Sequence, residues 1–100
     1  MPPDDESRRR IICLANSRKP GGRCIAGKLY FQGKFGKWLR PISARKGEEL
    51  SEVERLVGLK TEPAMLDILQ FSIITAKPSH HQTENWIINP KLGMQKVGSI

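Results

Sequence analysis

Between two apolar runs lies Ala15–Lys28, ANSRKPGGRCIAGK, in which Arg18, Lys19, Arg23 and Lys28 surround Pro20-Gly21-Gly22. Glycines let backbone N–H groups come close to an anion, and the basic side chains supply charge. The segment therefore has the parts of a phosphate-contacting loop. It is not a Walker loop, because the spacing differs and no Gly-Lys-Ser/Thr follows. A plain tight turn would use the same glycines for their freedom at positive φ; the basic cluster around them favours the phosphate reading. Downstream, Tyr30, Phe31, Phe35 and Trp38 interleave with Lys28, Lys34, Lys37 and Arg40. Alternate residues of a strand share a face, which groups Lys28 with Tyr30, Leu29 with Phe31, and Trp38 with Arg40 and Ile42. Rings that stack on bases beside cations that follow phosphates are the chemistry of single-stranded nucleic-acid binding. A small barrel must also fill its interior. Phe31 and Trp38 are expected there, with Tyr30 as the exposed stacking ring.

Cys13, Cys24, His80 and His81 match the number and types of ligand in a tetrahedral zinc site. No Cys-x-x-Cys occurs, and adjacent histidines reach one ion poorly. Zinc is thus the alternative, and two cysteines acting as small apolar residues the expectation; they flank the hairpin and are placed to face each other across it. Cys13 lies in an apolar run and no third group is placed to activate a Cys–His pair, so no enzyme is expected and no cofactor. Glu84, Asn85 and Trp86 form a polar–aromatic patch near the histidines. It reads either as a pocket wall or as a loop tied down by Asn85 and a buried Trp86.

The net charge is +7, and its distribution says more than its size. Twelve basic residues lie between Arg8 and Lys46 with no Asp or Glu among them. The acids sit outside, in Asp4-Asp5-Glu6 and from Glu48 onward. A long one-signed segment repels itself when folded, which a polyanionic partner relieves. The contact face is assigned to Arg8, Arg9, Arg10, Arg18, Lys19, Arg23, Lys28, Tyr30, Lys37 and Arg40. Two rivals share that charge map: a solvated cationic face, and a regulatory surface that docks an acidic protein.

Chain length and a 38% hydrophobic, 27% charged composition fit one small domain with a thin core. No apolar run approaches the roughly 20 residues of a membrane span, so no membrane partner is expected. Met1–Ser7, MPPDDES, is acidic and lacks the order of a secretory signal; it reads as a disordered tail before a domain over residues 8–100. Two free thiols and no leader give a cytoplasmic expectation.

The elements that must position these groups follow from periodicity. Arg9–Ala15 and Cys24–Phe31 read as strands joined by a long loop over Asn16–Arg23. Gln32–Lys37 is a glycine-rich connection to a third strand, Trp38–Ser43, where Pro41 requires an edge or a bulge. Glu48–Val57 reads as a helix: Leu50, Val53, Leu56 and Val57 mark a stripe, the glutamates favour its N-terminal turns and Gly58 stops it. Ala64–Thr75 reads as a strand bent at its start, on its aromatic and β-branched content. A polar loop, Pro78–Glu84, leads to a last short strand, Asn85–Ile88, and no element is assigned after Asn89-Pro90. The fold class is mainly β: a small OB-like barrel of about five strands with one helix between strands three and four.

At ICLANSRKPGGRCIAG, GKWLRPIS and HQTENWIIN the chain resembles the dual-OB-containing domain family of bacterial proteins of unknown function. The likeness runs over most of residues 11–98. The resemblance implies two successive OB-like barrels and, by analogy, a role in nucleic-acid transactions. One hundred residues hold one such barrel, so the resemblance implies either a single-barrel version or the N-terminal barrel of a longer module. The family brings no catalytic residues with it.

Overall fold

β-Branched and apolar residues at alternate positions give strands with one buried face, as at Ile11 and Cys13 or at Leu69, Phe71 and Ile73. The structure is a computed structural model that describes residues 7–19, 22–45, 49–57, 61–77 and 84–100. Its elements are β1 (Arg8–Lys19), β2 (Gly22–Phe31), β3 (Lys34–Ile42), a single helical turn α1 (Glu52–Arg55), β4 (Asp67–Ala76), β5 (Asn85–Ile88) and β6 (Gln95–Ser99).

β1 pairs antiparallel with β2, and β2 with β3. β3 then runs parallel to β5, β5 antiparallel to β4, and β4 antiparallel to β1. The circuit β1-β2-β3-β5-β4-β1 closes a five-stranded barrel of OB type. β6 borders β4 along Asp67–Gln70, on the edge away from β1 and short of Ile73, where β5 takes over. Bulges interrupt the ladders at Cys13/Ala15, Lys28/Tyr30 and Ile73/Thr75 and supply the bends that closure needs. At Gly27 the chains cross so closely that a Cβ would lie 2.0 Å from the Ile12 carbonyl oxygen. The core gathers Ile11, Cys13, Ile25, Leu39, Leu50, Val57, Leu69, Phe71, Ile73, Ile88 and Met94.

Several sequence expectations give way here. Of the helix expected over Glu48–Val57, whose first residue lies outside the described residues, only the turn Glu52–Arg55 is helical. Its start is well made, since Ser51 Oγ accepts from the Glu54 N–H and Glu54 Oε1 accepts from the Ser51 N–H. The flanks are spent otherwise. Leu50 exchanges both backbone hydrogen bonds with Arg23, and the Val57 N–H donates to the Thr61 carbonyl. Leu50 and Val57 do enter the core, but from extended backbone rather than from a helical stripe.

The first two hairpins are tighter than expected. β1 and β2 stay paired out to Lys19 opposite Gly22, so most of the expected loop over Asn16–Arg23 is strand. β3 starts at Lys34, because Gln32 (φ 50°) and Gly33 (φ 79°) make a two-residue turn with both φ angles positive. Pro41 stands where β3 has left β2 and pairs only with β5, which leaves its missing N–H without a ladder to break. β4 begins after Leu66, whose φ of 71° marks the expected bend. β6 is an addition; its polar, glycine-containing QKVGS carries little strand signal. No helix among the described residues is long and apolar enough to cross a membrane.

Candidate nucleic-acid interface

The chain has six aromatic residues, and four of them lie on the β2–β3 hairpin. Phe31 is 71% exposed, Phe35 59% and Trp38 49%. Tyr30 is half-buried, with its ring 5.3 Å from that of Phe35 and tilted by 51°. Lys28 and Trp38 are cross-strand partners, and Lys28 Nζ sits 5.7 Å above the Trp38 ring, within cation–π range. The assignment of Phe31 and Trp38 to the interior is therefore corrected. Phe31 is the last residue before the turn, beyond the end of the core, and Trp38 is paired face to face with a lysine. The interior is filled instead by aliphatic side chains, Phe71 and part of Trp86.

Two grooves meet beside this ridge. One, of about 780 Å³, runs between Arg8–Arg10 on β1 and Leu29–Phe31 on β2, with Ile68, Gln70 and Val97 along its floor and far side. Arg10 Nε donates to Gln70 Oε1 at 2.8 Å, which fixes that guanidinium at the rim. The other, of about 580 Å³, is the mouth of the barrel, lined by Arg9, Leu29, Lys37, Trp38, Leu39, Glu84 and Trp86. Arg9 and Leu29 line both, so the grooves lie side by side. Of the residues assigned from sequence, Arg8, Arg9, Arg10, Lys28, Tyr30 and Lys37 come together here. Phe35, Phe31, Trp38 and Trp86 belong with them. For Phe35 and Trp38 the signal was the QGKFGKW rhythm, in which each ring has small and charged neighbours in sequence.

The remaining assigned residues lie apart. Arg18 and Arg23 face each other across the β1–β2 ladder, eight residues along β2 from Phe31. At about 3.3 Å per residue that is about 26 Å. They line a cleft of about 540 Å³ with Arg45, Arg55 and Glu52. Acids answer much of the charge there. Arg55 pairs with Glu62 at 2.8 Å, Arg23 lies 3.9 Å from Glu62, and Arg45 lies 3.9 Å from Glu49. The Arg55 guanidinium holds the Glu62 carboxyl below its ordinary titration range. The missing side chain of Gly22 admits the chain itself: a Cβ there would lie 2.2 Å from the Leu50 carbonyl oxygen. Lys19 pairs through its backbone with Gly22; its side chain, with Pro20 and Gly21, lies outside the described residues. Arg40 is half-buried on β3, and its backbone N–H donates to the Glu84 carbonyl at 2.9 Å.

The zinc alternative loses its geometry at the cysteines. Cys13 is opposite Gly27 and Cys24 opposite Ser17, so the two are three rungs apart, about 10 Å at strand spacing. His80 and His81 lie outside the described residues, among which no group of three potential metal ligands occurs. Burial in the core pushes the Cys13 thiol above its ordinary pKa, which disfavours the thiolate a nucleophile needs.

A barrel of this type suits a nucleic-acid-binding module at the coarse level. Among known proteins, neither the curated sequences nor the solved structures compared with the chain gave a match. A family model did, that of the dual OB-containing domain, and it aligns with residues 9–100, from the second arginine of β1 through β6. Barrel and alignment cover the same residues, and the chain belongs to the dual OB-containing domain family.

Proposed function

We propose that the protein binds single-stranded nucleic acid along the grooves beside the β2–β3 hairpin. One observation carries this reading: a domain with six aromatic residues leaves three of them exposed on one hairpin, among Lys28, Lys34 and Lys37. Exposed rings cost solubility and, placed here, add nothing to the core. A duplex hides its bases in the stack, whereas a single strand offers each base as a flat π-face to a ring while its phosphates meet the cations. Arg8, Arg9 and Arg10 on the far wall of the groove would hold the backbone of such a strand. Arg18, Lys19 and Arg23 would add a distal contact for strands long enough to reach the other end of β2, and Arg40 sits between.

The test is fluorescence anisotropy with a labelled oligonucleotide of about 12 nucleotides, within the usual span of one OB barrel. Trp38→Ala and Phe35→Ala should each weaken binding by about 1–3 kcal/mol, the usual contribution of one stacked base. Dextran sulfate, a polyanion without bases, should compete poorly. If it competes as well as the oligonucleotide and both variants bind normally, the surface recognises charge alone, and an acidic protein becomes the better partner.

A further inference from the structure

The two grooves differ in one respect. The walls along Arg8–Arg10 and Phe31 contain no acid, and the barrel mouth contains one, Glu84. A carboxylate facing an incoming polyanion lowers affinity by repulsion, and no ion pair cancels its charge among the described residues. Its backbone is held in place by the Arg40 N–H at 2.9 Å. Glu84 is the turn residue that leads into β5, two residues before Trp86, and both line the mouth. Trp86 packs partly against the core, which makes it a fixed wall, while Trp38 on the neighbouring strand β3 is half-exposed. A volume of about 580 Å³ falls within the range of about 300–1,000 Å³ typical of small-ligand pockets.

These features fit a flat ring with a hydrogen-bond donor on its edge. Resting on the reading that this face binds single strands, we propose that the mouth takes one base of the strand beside Trp38 and Trp86. Glu84 accepts a hydrogen bond from its exocyclic amino group. An ionised carboxylate only accepts. At ring position 4 cytosine presents an N4 amino donor and thymine the O4 acceptor, so a carboxylate held at that position attracts one and repels the other. Arg9 and Lys37 on the same rim take the flanking phosphates. Glu84 is thus the residue that gives up some general affinity in exchange for selectivity.

Oligo-dC and oligo-dT of equal length isolate this effect, since both are pyrimidines of like size and charge. Binding is followed by quenching of the intrinsic tryptophan fluorescence. The wild type should bind oligo-dC about five- to tenfold more tightly than oligo-dT, the discrimination of roughly one good edge contact. Two variants should erase the preference by different routes. Glu84→Ala should make the two affinities equal, oligo-dC losing its hydrogen bond while oligo-dT gains from the removed repulsion. Glu84→Gln, whose amide can donate to O4 as well as accept from N4, should bring oligo-dT up. Equal binding of the two oligonucleotides by the wild type, or an undiminished preference in both variants, overturns the selectivity and leaves single-strand binding standing. Binding of neither oligonucleotide overturns both.

Discussion

Salt dependence offers the sharpest test of which surface meets phosphate. Five cations border the two grooves and the ridge above them: Arg8, Arg9 and Arg10 on β1, Lys28 over Trp38, and Lys37 at the mouth. If each neutralises one phosphate of a single strand, log K falls against log salt with a slope of about −3.5, taking about −0.7 per contact. Between about 50 and 200 mM salt, a fourfold change, affinity should then drop about a hundredfold. Replacing Arg8 and Lys37 together by glutamine leaves three cations and a slope of about −2.1. Both side chains are exposed, so the double variant should keep its fold. Trp38→Ala should displace the whole line downward without changing its slope, because stacking releases no counterions. The assay is a titration of one oligonucleotide at four or more salt concentrations for the wild type and both variants. An unchanged slope in the double variant would place the phosphates elsewhere and refute the assignment of this face.

Strand length should separate the two ends of β2: Arg18→Glu should leave an oligonucleotide of about 5 nucleotides unaffected and weaken one of about 12, measured by anisotropy. Stability should depend on the Arg55–Glu62 pair. Glu62→Gln should cost about 2 kcal/mol in urea unfolding, less than the loss of a fully buried pair, because Glu62 keeps 35% of its side chain in water. The Glu62 carboxyl titrates lower in the folded chain, so its stabilisation is complete above the ordinary value of 4.5 and is lost as pH falls below it; the variant should lack that loss. Gly27→Ala should destabilise by more than about 3 kcal/mol or prevent folding, since its Cβ meets backbone rather than a movable side chain, and circular dichroism would show it. Thiol titration under native conditions should label the part-exposed Cys24 first and buried Cys13 only on unfolding. Comparable rates at the two would contradict the packing of β1.

What the sequence discloses depends on how local the determinant is. The β-rich order, the bend before β4 and the short β5 are legible because alternation and β-branched content act within a few residues. The helix over Glu48–Val57 misleads for the opposite reason: its stripe is real, but Leu50 is claimed by Arg23, a partner far away in sequence. The clustering of Arg8–Arg10, Lys28 and Lys37 with Tyr30 is legible because these charges and rings are dense in the first strands, where pairing brings them close. The exposure of Phe31 and Trp38 is not, since it depends on where the barrel ends. Likewise the separation of Arg18 and Arg23 from that face follows from the length of β2, which runs through residues that read as a loop.

The closing ladder of the barrel joins Arg8–Ile12 to Ile68–Ser72, segments some sixty residues apart in the chain. On a ribosome, β1 and β2 can pair early, but the far edge of β1 has no partner until β4 has been made. Folds governed by such distant pairings form slowly, in milliseconds to seconds. For that interval the chain carries an open strand edge next to Ile11 and Ile12, the kind of template on which other chains add and aggregate. Three consecutive arginines stand on this edge. Their mutual repulsion keeps a second nascent copy from docking there, as charged residues do on exposed edges generally. The same residues that line the groove of the finished barrel thus guard its last seam while it is unmade.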